Sequence, residues 1–327
     1  MFAYVVRRAL QGVLVLLVVA FIAFTMFRFI GDPLESMLPR EATRADRVEL
    51  RERLGLDDPV PVQFLHFVGN ALQGEFGISY RNGVPVSEMI AQRLPATLEL
   101  AAVSAIFAAV LGIGLGVYTA IHRDGWLANT IMSASLIGVS LPTFLIGVLL
   151  IWVFAVELGW LPSFGRGATG ELFGWRSSLV TESGLKSMIL PALTLGLYQM
   201  TLVMRLVRAE MLEVLRTDYI RFARARGLSE RTVNFGHALK NTLVPVITII
   251  GLQLGQITAF AIVTETVFQW PGVGLLFINA VQFVDIPIMS TYLLLVGVLF
   301  VCINLVVDVL YAVVDPRLRV ERAAVRA

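Results

Sequence analysis

The sequence predicts an all-α polytopic membrane protein with six transmembrane helices and with both termini in the cytoplasm. Three observations support this prediction: an excess of apolar residues, charge-free runs near the thickness of a bilayer, and an uneven distribution of arginine. Of 327 residues, 57% are hydrophobic and 15% are charged, whereas roughly 25% are charged in a soluble domain. So few charges cannot cover so much apolar surface in water, and intrinsic disorder is excluded on the same composition.

The spans are predicted from runs without charged side chains, because a helix needs about 20 mostly apolar residues to cross a bilayer. The six predicted spans are Ala9–Phe27, Leu100–Ile121, Ile131–Val156, Met188–Met204, Asn241–Thr264 and Ile286–Val307. The first resembles a signal peptide, but it has no clear cleavage site before Arg28, and we expect it to stay as a span. A seventh run, Thr266–Val284, contains Pro271 and Gly272, which favour an interfacial or re-entrant segment.

The orientation is predicted from basic residues. They are concentrated in segment 205–240, in the C-terminal tail and at Arg7 and Arg8, and the positive-inside rule places all three regions in the cytoplasm. An even number of spans satisfies this placement. Tryptophans are then expected in interfacial belts, with Trp126 at the inner interface and Trp160, Trp175 and Trp270 at the outer one.

The chain is predicted to divide into four parts. Residues 1–30 form a cytoplasmic N-terminus and the first span, 31–97 a periplasmic loop region, 98–315 a core of five spans, and 316–327 a cytoplasmic tail. Within the loop region, Thr43 can cap a helix that runs to about Leu54. A second helix is predicted from the apolar face formed by Phe64, Leu65, Val68 and Leu72.

Several kinds of chemistry are missing from the sequence. Neither Lys186 nor Lys240 lies in a Gly-Lys-Ser/Thr turn, so no phosphate-binding P-loop is predicted. The three histidines are scattered and Cys302 is the single cysteine, which gives no pattern for a metal site. A net charge of +2 offers no basic field for nucleic acid. We therefore expect no catalytic, metal or cofactor site in this chain.

Segment 205–240 is the part of the chain with the densest polar chemistry. Thr217 or Asp218 can cap a short helix, Gly227 can end it in the left-handed conformation, and Ser229 can cap the next helix, which leads into the fifth span. A helix–turn–helix on the cytoplasmic face is predicted. It is either a shaped docking element or a basic loop that only sets the topology.

The fifth span is predicted to have two different faces. Gln253, Gln256, Phe260 and Thr264 share one side at about 100° per residue, while Gly251, Gly255 and Thr258 lie opposite, where small residues allow close helix packing. Amide side chains are costly in hydrocarbon. The glutamines therefore either line a translocation path or bond to a neighbouring helix. Gly112 and Gly116 in the second span are interpreted as packing glycines.

The segment 205–240 resembles the EAA loop of binding-protein-dependent ABC importer permeases in its peptide-permease form. Ala223, Gly227 and Leu239 match the second alanine, the glycine and a later leucine of that motif, whereas Arg221 and Phe222 depart from the general pattern as the peptide branch commonly does. Further blocks extend the likeness along the chain. They are Arg93–Leu100, Asp218–Arg221, Thr264–Phe268, Trp270–Gly274 and Asp315–Arg317.

The resemblance to the dipeptide/oligopeptide permease family implies a type I ABC importer fold and a function in the bacterial inner membrane. It implies a second homologous permease that forms a heterodimer with this chain, two ABC ATPase subunits that bind ATP and Mg, and a periplasmic or lipid-anchored substrate-binding protein. Membrane lipid is a further expected partner of the chain. The implied ATPase-coupling residues are Asp218, Tyr219, Arg221, Ala223, Arg224, Ala225, Gly227 and Ser229. One rival hypothesis is an ion-driven transporter, which should carry ionisable residues in mid-membrane, and the predicted spans lack them. A second rival is a membrane-embedded assembly or scaffold protein, which would not need the glutamine face of the fifth span.

Overall fold

The computed structural model describes residues 2–29, 58–172 and 174–314, and most of these residues are helical. The predicted helix from Thr43 to Leu54 and the tail 316–327 lie outside the described residues. In chain order the elements are α1 Phe2–Phe29, α2 Val60–Leu72, α3 Val86–Ile121, α4 Trp126–Ser140, α5 Thr143–Leu150, π1 Ile151–Glu157, β1 Gly170–Leu172, β2 Trp175–Ser177, α6 Glu182–Val214, α7 Asp218–Ala225, π2 Thr232–Ala238, α8 Leu239–Val267, α9 Val273–Gln282 and α10 Ile286–Val314.

The prediction of six spans is confirmed. Among the described residues, five helices are long and apolar enough to cross a membrane, and the bent pair formed by α4 and α5 with π1 supplies a sixth. The seventh apolar run contains α9, which has 10 residues and therefore a length of about 15 Å. That is half of a hydrocarbon core of about 30 Å, so α9 is not a span.

The third span is not the single straight helix that the sequence predicted. It breaks between Ser140 and Thr143 with a bend of 110°. Pro142 disfavours a helical conformation at the residue before it, and Leu141 accordingly has an extended ψ of 138°. The continuation through π1 is a wide helix of 7 residues. Counting apolar residues alone missed the break that Pro142 causes.

Two other spans are longer than their apolar runs. Helix α3 begins at Val86 and includes Pro95, and α6 begins at Glu182, where the Thr181 hydroxyl accepts a hydrogen bond of 3.1 Å from Gly184 N. Helix α2 confirms the second helix predicted for the loop region, although Leu65 and Leu72 of its predicted apolar face are exposed. Strands β1 and β2 were not predicted. They form a short antiparallel hairpin in which Leu172 pairs with Trp175, so the regular structure of the described residues is all-α apart from this hairpin.

The chain forms two compact units, and each has its own packing. Unit 1 contains Leu98–Trp270 and the segment from Cys302 onwards. Its core collects buried residues of α3, α6, α7, π2 and α8. Close approach of α3 and α6 depends on glycine: a Cβ at Gly116 would lie 2.6 Å from Val207 Cβ, and one at Gly112 would lie 2.8 Å from Val203 Cβ. The interpretation of these two as packing glycines is confirmed.

Unit 2 contains Phe2–Thr97 and Pro271–Val301. The end of α1 packs on α2 through aromatic rings, with the Phe24 and Phe64 centroids 5.6 Å apart. Asp285 accepts hydrogen bonds from the Ser79 hydroxyl and from the backbone N–H of Tyr80. These contacts tie the residues before α3 to the start of α10.

Candidate functional site

Helix α7 begins after an extended Thr217, as predicted, but Thr217 is not a side-chain cap. Its hydroxyl donates a hydrogen bond of 2.6 Å to Val214 O at the end of α6, and no side-chain bond caps α7 within the described residues. Asp218 is the first helical residue, where a carboxylate favours the positive end of the helix dipole, and it pairs with Arg221 at 3.2 Å. The side chain of Thr217 is therefore bonded to the end of α6, although Thr217 directly precedes α7.

The end of α7 confirms the role predicted for Gly227. Its φ is +78°, a conformation that glycine adopts without steric cost. Gly227 N donates to Arg224 O at 2.9 Å and Leu228 N donates to Ala223 O at 3.4 Å. This pair of bonds is a Schellman motif, which satisfies the last carbonyl groups of the helix.

The next helix starts at the predicted cap. The Ser229 hydroxyl accepts a hydrogen bond of 3.3 Å from Thr232 N, which satisfies a free N–H of the first turn. Across the turn, Arg224 forms two bonds with Glu230, of 2.9 and 3.2 Å. Both side chains are substantially exposed, so this pair contributes at most about 1 kcal/mol.

One face of this helix–turn–helix is buried in unit 1. Ile220 is fully buried and Ala223 is 7% exposed, and both belong to the same apolar cluster as Met211 of α6 and Val233 of π2. As one of the ATPase-coupling residues, Ala223 was expected to face the groove of the ATPase subunit, and this direction is wrong. The structure places Ala223 against the chain's own core, so it anchors the loop rather than presenting a surface.

The opposite face is exposed and carries aromatic side chains between basic ones. We call it the docking face; its exposed residues are Tyr219, Arg221, Phe222, Arg224, Arg226, Leu228 and Phe235. Phe222 is 65% exposed, and the Arg226 guanidinium lies 5.9 Å from its ring centroid. Asn241 Nδ2 donates a bond of 2.6 Å to the Tyr219 hydroxyl. Ala225, Gly227 and Ser229 are also exposed, at the edge of this face.

Sequence reasoning did not identify Phe222, Leu228 and Phe235 as surface residues. The spacing in α7 could have predicted the exposure of Phe222. Residues one or two positions apart on a helix do not share a face, so Phe222 cannot lie on the buried face of Ile220 and Ala223. Several exposed apolar side chains in one segment outside the predicted spans are informative, because exposed apolar patches mark interaction sites.

The predicted polar face of α8 is divided in the structure. Gln256 and Phe260 are exposed, Gln253 is half-buried, and Thr264 is 1% exposed. Within the described part of the chain, Gln253 Oε1 and Thr264 Oγ1 are buried without a hydrogen-bond partner. On the other side, a Cβ at Gly251 would lie 2.5 Å from Val307 Cγ2, which confirms the predicted close packing at this glycine.

Near Trp270, which follows α8, a buried ion pair joins α3 to the loop after π1. Arg166 Nη2 lies 2.7 Å from Glu99 Oε2, and both side chains are less than 10% exposed. Arg166 Nε also donates to the Ser178 hydroxyl at 2.8 Å, and the guanidinium lies 5.9 Å from the Trp270 ring centroid. Trp270 is fully buried, whereas Trp126, Trp160 and Trp175 are exposed. The placement of these tryptophans at the membrane interfaces stays a prediction.

Two family models match this chain. One, described as the binding-protein-dependent transport system inner membrane component, matches residues 112–320. The other, which describes the N-terminal region of the same kind of membrane component, matches residues 1–101. The first alone spans more than half of the sequence. The chain belongs to this family.

Curated relatives match the permease over almost its whole length. The dipeptide transport system permease protein DppB of Alkalihalophilus pseudofirmus is 38% identical over 98% of this chain and 100% of the relative. The glutathione transport system permease protein GsiC of Escherichia coli is 40% identical over 98% of this chain and 99% of the relative. These matches confirm the resemblance to dipeptide/oligopeptide-type ABC permeases.

A solved structure supports the fold. An inward-facing form of the MetNI methionine ABC transporter aligns with a TM-score of 0.56 at 20% identity, covering 69% of this chain and 96% of that one. The permease is thus a multi-pass membrane subunit of an importer and not an enzyme. Its family implies ATPase and substrate-binding partners.

Proposed function

We propose that the permease forms half of the translocation path of an ATP-driven importer of di- or oligopeptides in a bacterial inner membrane. A second, homologous permease supplies the other half, two ATPase subunits bind ATP and Mg, and a periplasmic or lipid-anchored binding protein delivers the substrate. The support for a peptide substrate is that relatives about 40% identical over their full length are named for dipeptide and glutathione transport.

The observation that carries the coupling role is the two-sided helix–turn–helix. Its inner face is fixed in the core through Ile220 and Ala223, and its outer face exposes Phe222 between Arg221 and Arg226. Aromatic and arginine side chains supply most of the energy in protein interfaces. A basic loop that served only to set the topology would not need a buried inner face. The docking face is therefore the surface for an ATPase subunit.

The same core gives a route for coupling to α8. Ile220 and Ala223 of α7 share one cluster with Val233 of π2 and Val246 of α8, and packed interiors transmit displacement because they contain few voids. A movement of the docking face would then carry the base of α8 with it. The wide π2 segment runs directly into α8, and such segments occur frequently at functional sites.

The translocation path is assigned to the polar face of α8. Gln256 and Phe260 are exposed on the single permease, which is the arrangement expected when a second permease completes the path. Gln253 Oε1, buried without a partner among the described residues, is an acceptor that an amide N–H of a peptide could satisfy. An unsatisfied buried acceptor costs about 1–3 kcal/mol, so such a bond would be favourable.

The docking role is tested with Phe222→Ser. We expect the variant to insert normally but to recover much less ATPase subunit in a pull-down of the complex and to lose most peptide uptake. Phe164→Ser is a matched control, because Phe164 is similarly exposed, at 59%, but lies after the third span instead of in the cytoplasmic loop. Equal recovery with Phe222→Ser would remove the docking assignment.

The path is tested with the double variant Gln253→Leu/Gln256→Leu. We expect uptake of a labelled dipeptide to fall while complex assembly and basal ATPase activity stay unchanged. Gln92→Leu, an exposed glutamine on α3, is the control. Competition by unlabelled dipeptide or glutathione defines the substrate class. Normal uptake by the double variant would make these glutamines helix-packing groups.

A further inference from the structure

Unit 1 contains an apolar groove that the proposed transport function does not use. It lies between α4, α5 and α6 and encloses about 480 Å³, within the range of about 300–1,000 Å³ for small-molecule sites. The bend of 110° between α4 and α5 creates the concavity. The wall is aliphatic; among its residues are Ile131, Ile137, Leu150, Leu197, Met200 and Met204.

The small and polar residues of the wall are already engaged within the chain. The Ser135 hydroxyl donates to Met132 O at 2.7 Å, and the Thr201 hydroxyl donates to Leu197 O at 3.0 Å. A Cβ at Gly138 would lie 2.9 Å from Thr201 Oγ1, so Gly138 serves the packing of α4 on α6. Membrane helices associate through small residues and hydrogen bonds, and Gly138 and the two hydroxyls of this wall are already used within the chain.

A basic side chain continues the groove along α6. Leu197, Thr201 and Met204 line it, and Arg208 follows at the spacing that keeps it on the same helix face. Arg208 Nε is buried and has no hydrogen-bond partner among the residues that the structure describes. Arg205, at the edge of this face, is exposed. A guanidinium next to apolar surface needs an anion or water for its donors.

The stretch of α6 from the groove residue Leu197 to Arg208 has the length of one membrane leaflet. Arg208 lies eleven residues after Leu197, which corresponds to about 16 Å along a helix, and half of the hydrocarbon core measures about 15 Å. At the same end, Trp126 at the start of α4 is 78% exposed, as expected for a tryptophan at a membrane interface. The aliphatic wall therefore lies at acyl-chain depth and Arg208 at headgroup depth.

We propose that this groove binds one phospholipid of the inner leaflet with an anionic headgroup. An acyl chain fills the aliphatic wall, and the phosphate accepts hydrogen bonds from Arg208. An apolar transmembrane helix of a partner would fill the wall but supply no anionic acceptor for Arg208. Basic pockets between spans on the cytoplasmic side are suited to anionic headgroups.

The test measures lipid retention by the purified full-length permease with its partner subunits, by native mass spectrometry after addition of phosphatidylglycerol or phosphatidylcholine. We expect phosphatidylglycerol to be retained in preference. Arg208→Gln should lower its occupancy about fivefold, the factor for one arginine near an anionic surface, and Arg208→Lys should retain most of it. Arg123→Gln, in an exposed loop on the cytoplasmic side, should have no effect.

The acyl-chain site is tested separately with Ala134→Trp, which places a ring in the groove from an exposed wall position. Retention of either lipid should fall, whereas Ser133→Trp, one residue away on the same helix and outside the groove, should retain lipid. Equal thermal stability of the two variants shows that folding is intact. Equal retention of both lipids by all variants would overturn the proposal. The proposal would also be overturned if Ala134→Trp lost the second permease but retained as much lipid as the wild type, because a protein partner would then cover the groove.

Discussion

The two ends of α8 in unit 1 use charge in opposite ways. Near Trp270, Arg166 and Glu99 are less than 10% exposed and bond to each other at 2.7 Å. In the loop that precedes α8, Arg224 pairs with Glu230 and Arg221 with Asp218, and all four side chains are more than 40% exposed. The charged groups near Trp270 therefore bond to each other inside the fold, whereas those in the loop before α8 are exposed. Surface available for a partner is concentrated in the loop.

The energetic consequences differ as well. Removing one member of a buried ion pair costs about 3–5 kcal/mol because the other charge stays buried, whereas an exposed pair contributes about 0–1 kcal/mol. Substitutions near Trp270 are therefore expected to lower the stability of the protein. Substitutions in the loop are expected to weaken the binding of a partner, except at the buried residues that anchor the loop, where they should lower stability.

The largest expected effect concerns the sides of the membrane. In a Cys302→Ser background, Arg226→Cys in the loop should be protected from an impermeant thiol reagent in cells with a permeabilised outer envelope, and Glu171→Cys in β1 should react. Both positions are exposed, so access depends on the side alone. Reaction of Arg226→Cys in cells with an intact inner membrane would place the loop on the periplasmic side and contradict the six-span orientation.

Next in size is Arg166→Ala. It leaves the Glu99 carboxylate buried without its counter-ion, and we expect a loss of about 3–5 kcal/mol in the free energy of unfolding, measured by thermal unfolding in detergent. The double variant Glu99→Leu/Arg166→Leu should recover much of this loss, because both charges are then absent. An unchanged melting temperature for Arg166→Ala would mean that the pair is hydrated.

Ala223→Glu should be destabilising for the same reason, although it lies in the loop. Ala223 is 7% exposed within the apolar cluster, and an unpaired charge there should cost at least about 3 kcal/mol. Ala225→Glu is the matched control, since Ala225 is exposed two residues later, and it should change stability by less than about 0.5 kcal/mol. Similar stability of both variants would contradict the inward direction of Ala223.

Gly227→Val should have a smaller effect on stability. No heavy atom lies within 4 Å of where a Cβ would stand, so the cost arises from a positive φ alone, about 1–2 kcal/mol. We expect normal insertion of the spans but weaker recovery of ATPase subunits in a pull-down, because the turn that orients the docking face is strained. Gly227→Asn, which tolerates this conformation, should be milder. Wild-type recovery and uptake with Gly227→Val would leave the loop as a topogenic segment only.

The features predicted correctly from the sequence have local causes. Spans follow from runs without charge, because charge is costly in hydrocarbon at every position, and Gly227 and Ser229 follow from the backbone chemistry of helix ends. The bend at Pro142 is also local, and it was missed because only apolar length was considered. The pair of Glu99 and Arg166 joins residues 67 positions apart, and the inward direction of Ala223 depends on what α7 packs against. Neither the ion pair nor the direction of Ala223 can be predicted from the spacing of residues within one segment.

The smallest expected effect is the energy of the exposed pair of Arg224 and Glu230. Its two bonds of 2.9 and 3.2 Å have the paired geometry that gives Arg–carboxylate contacts their strength, but the exposed side chains lose conformational freedom and remain hydrated. A double-mutant cycle with Arg224→Gln and Glu230→Gln should give a coupling energy of about 0.2–1 kcal/mol. The same cycle at Glu99 and Arg166 should give a value several times larger. Thermal unfolding in detergent at low and high salt measures both, and salt should reduce only the exposed coupling. Equal coupling energies for the two ion pairs would mean that burial does not make the Glu99–Arg166 pair stronger than the Arg224–Glu230 pair. The contrast between a structural region near Trp270 and a binding region in the loop would then be wrong.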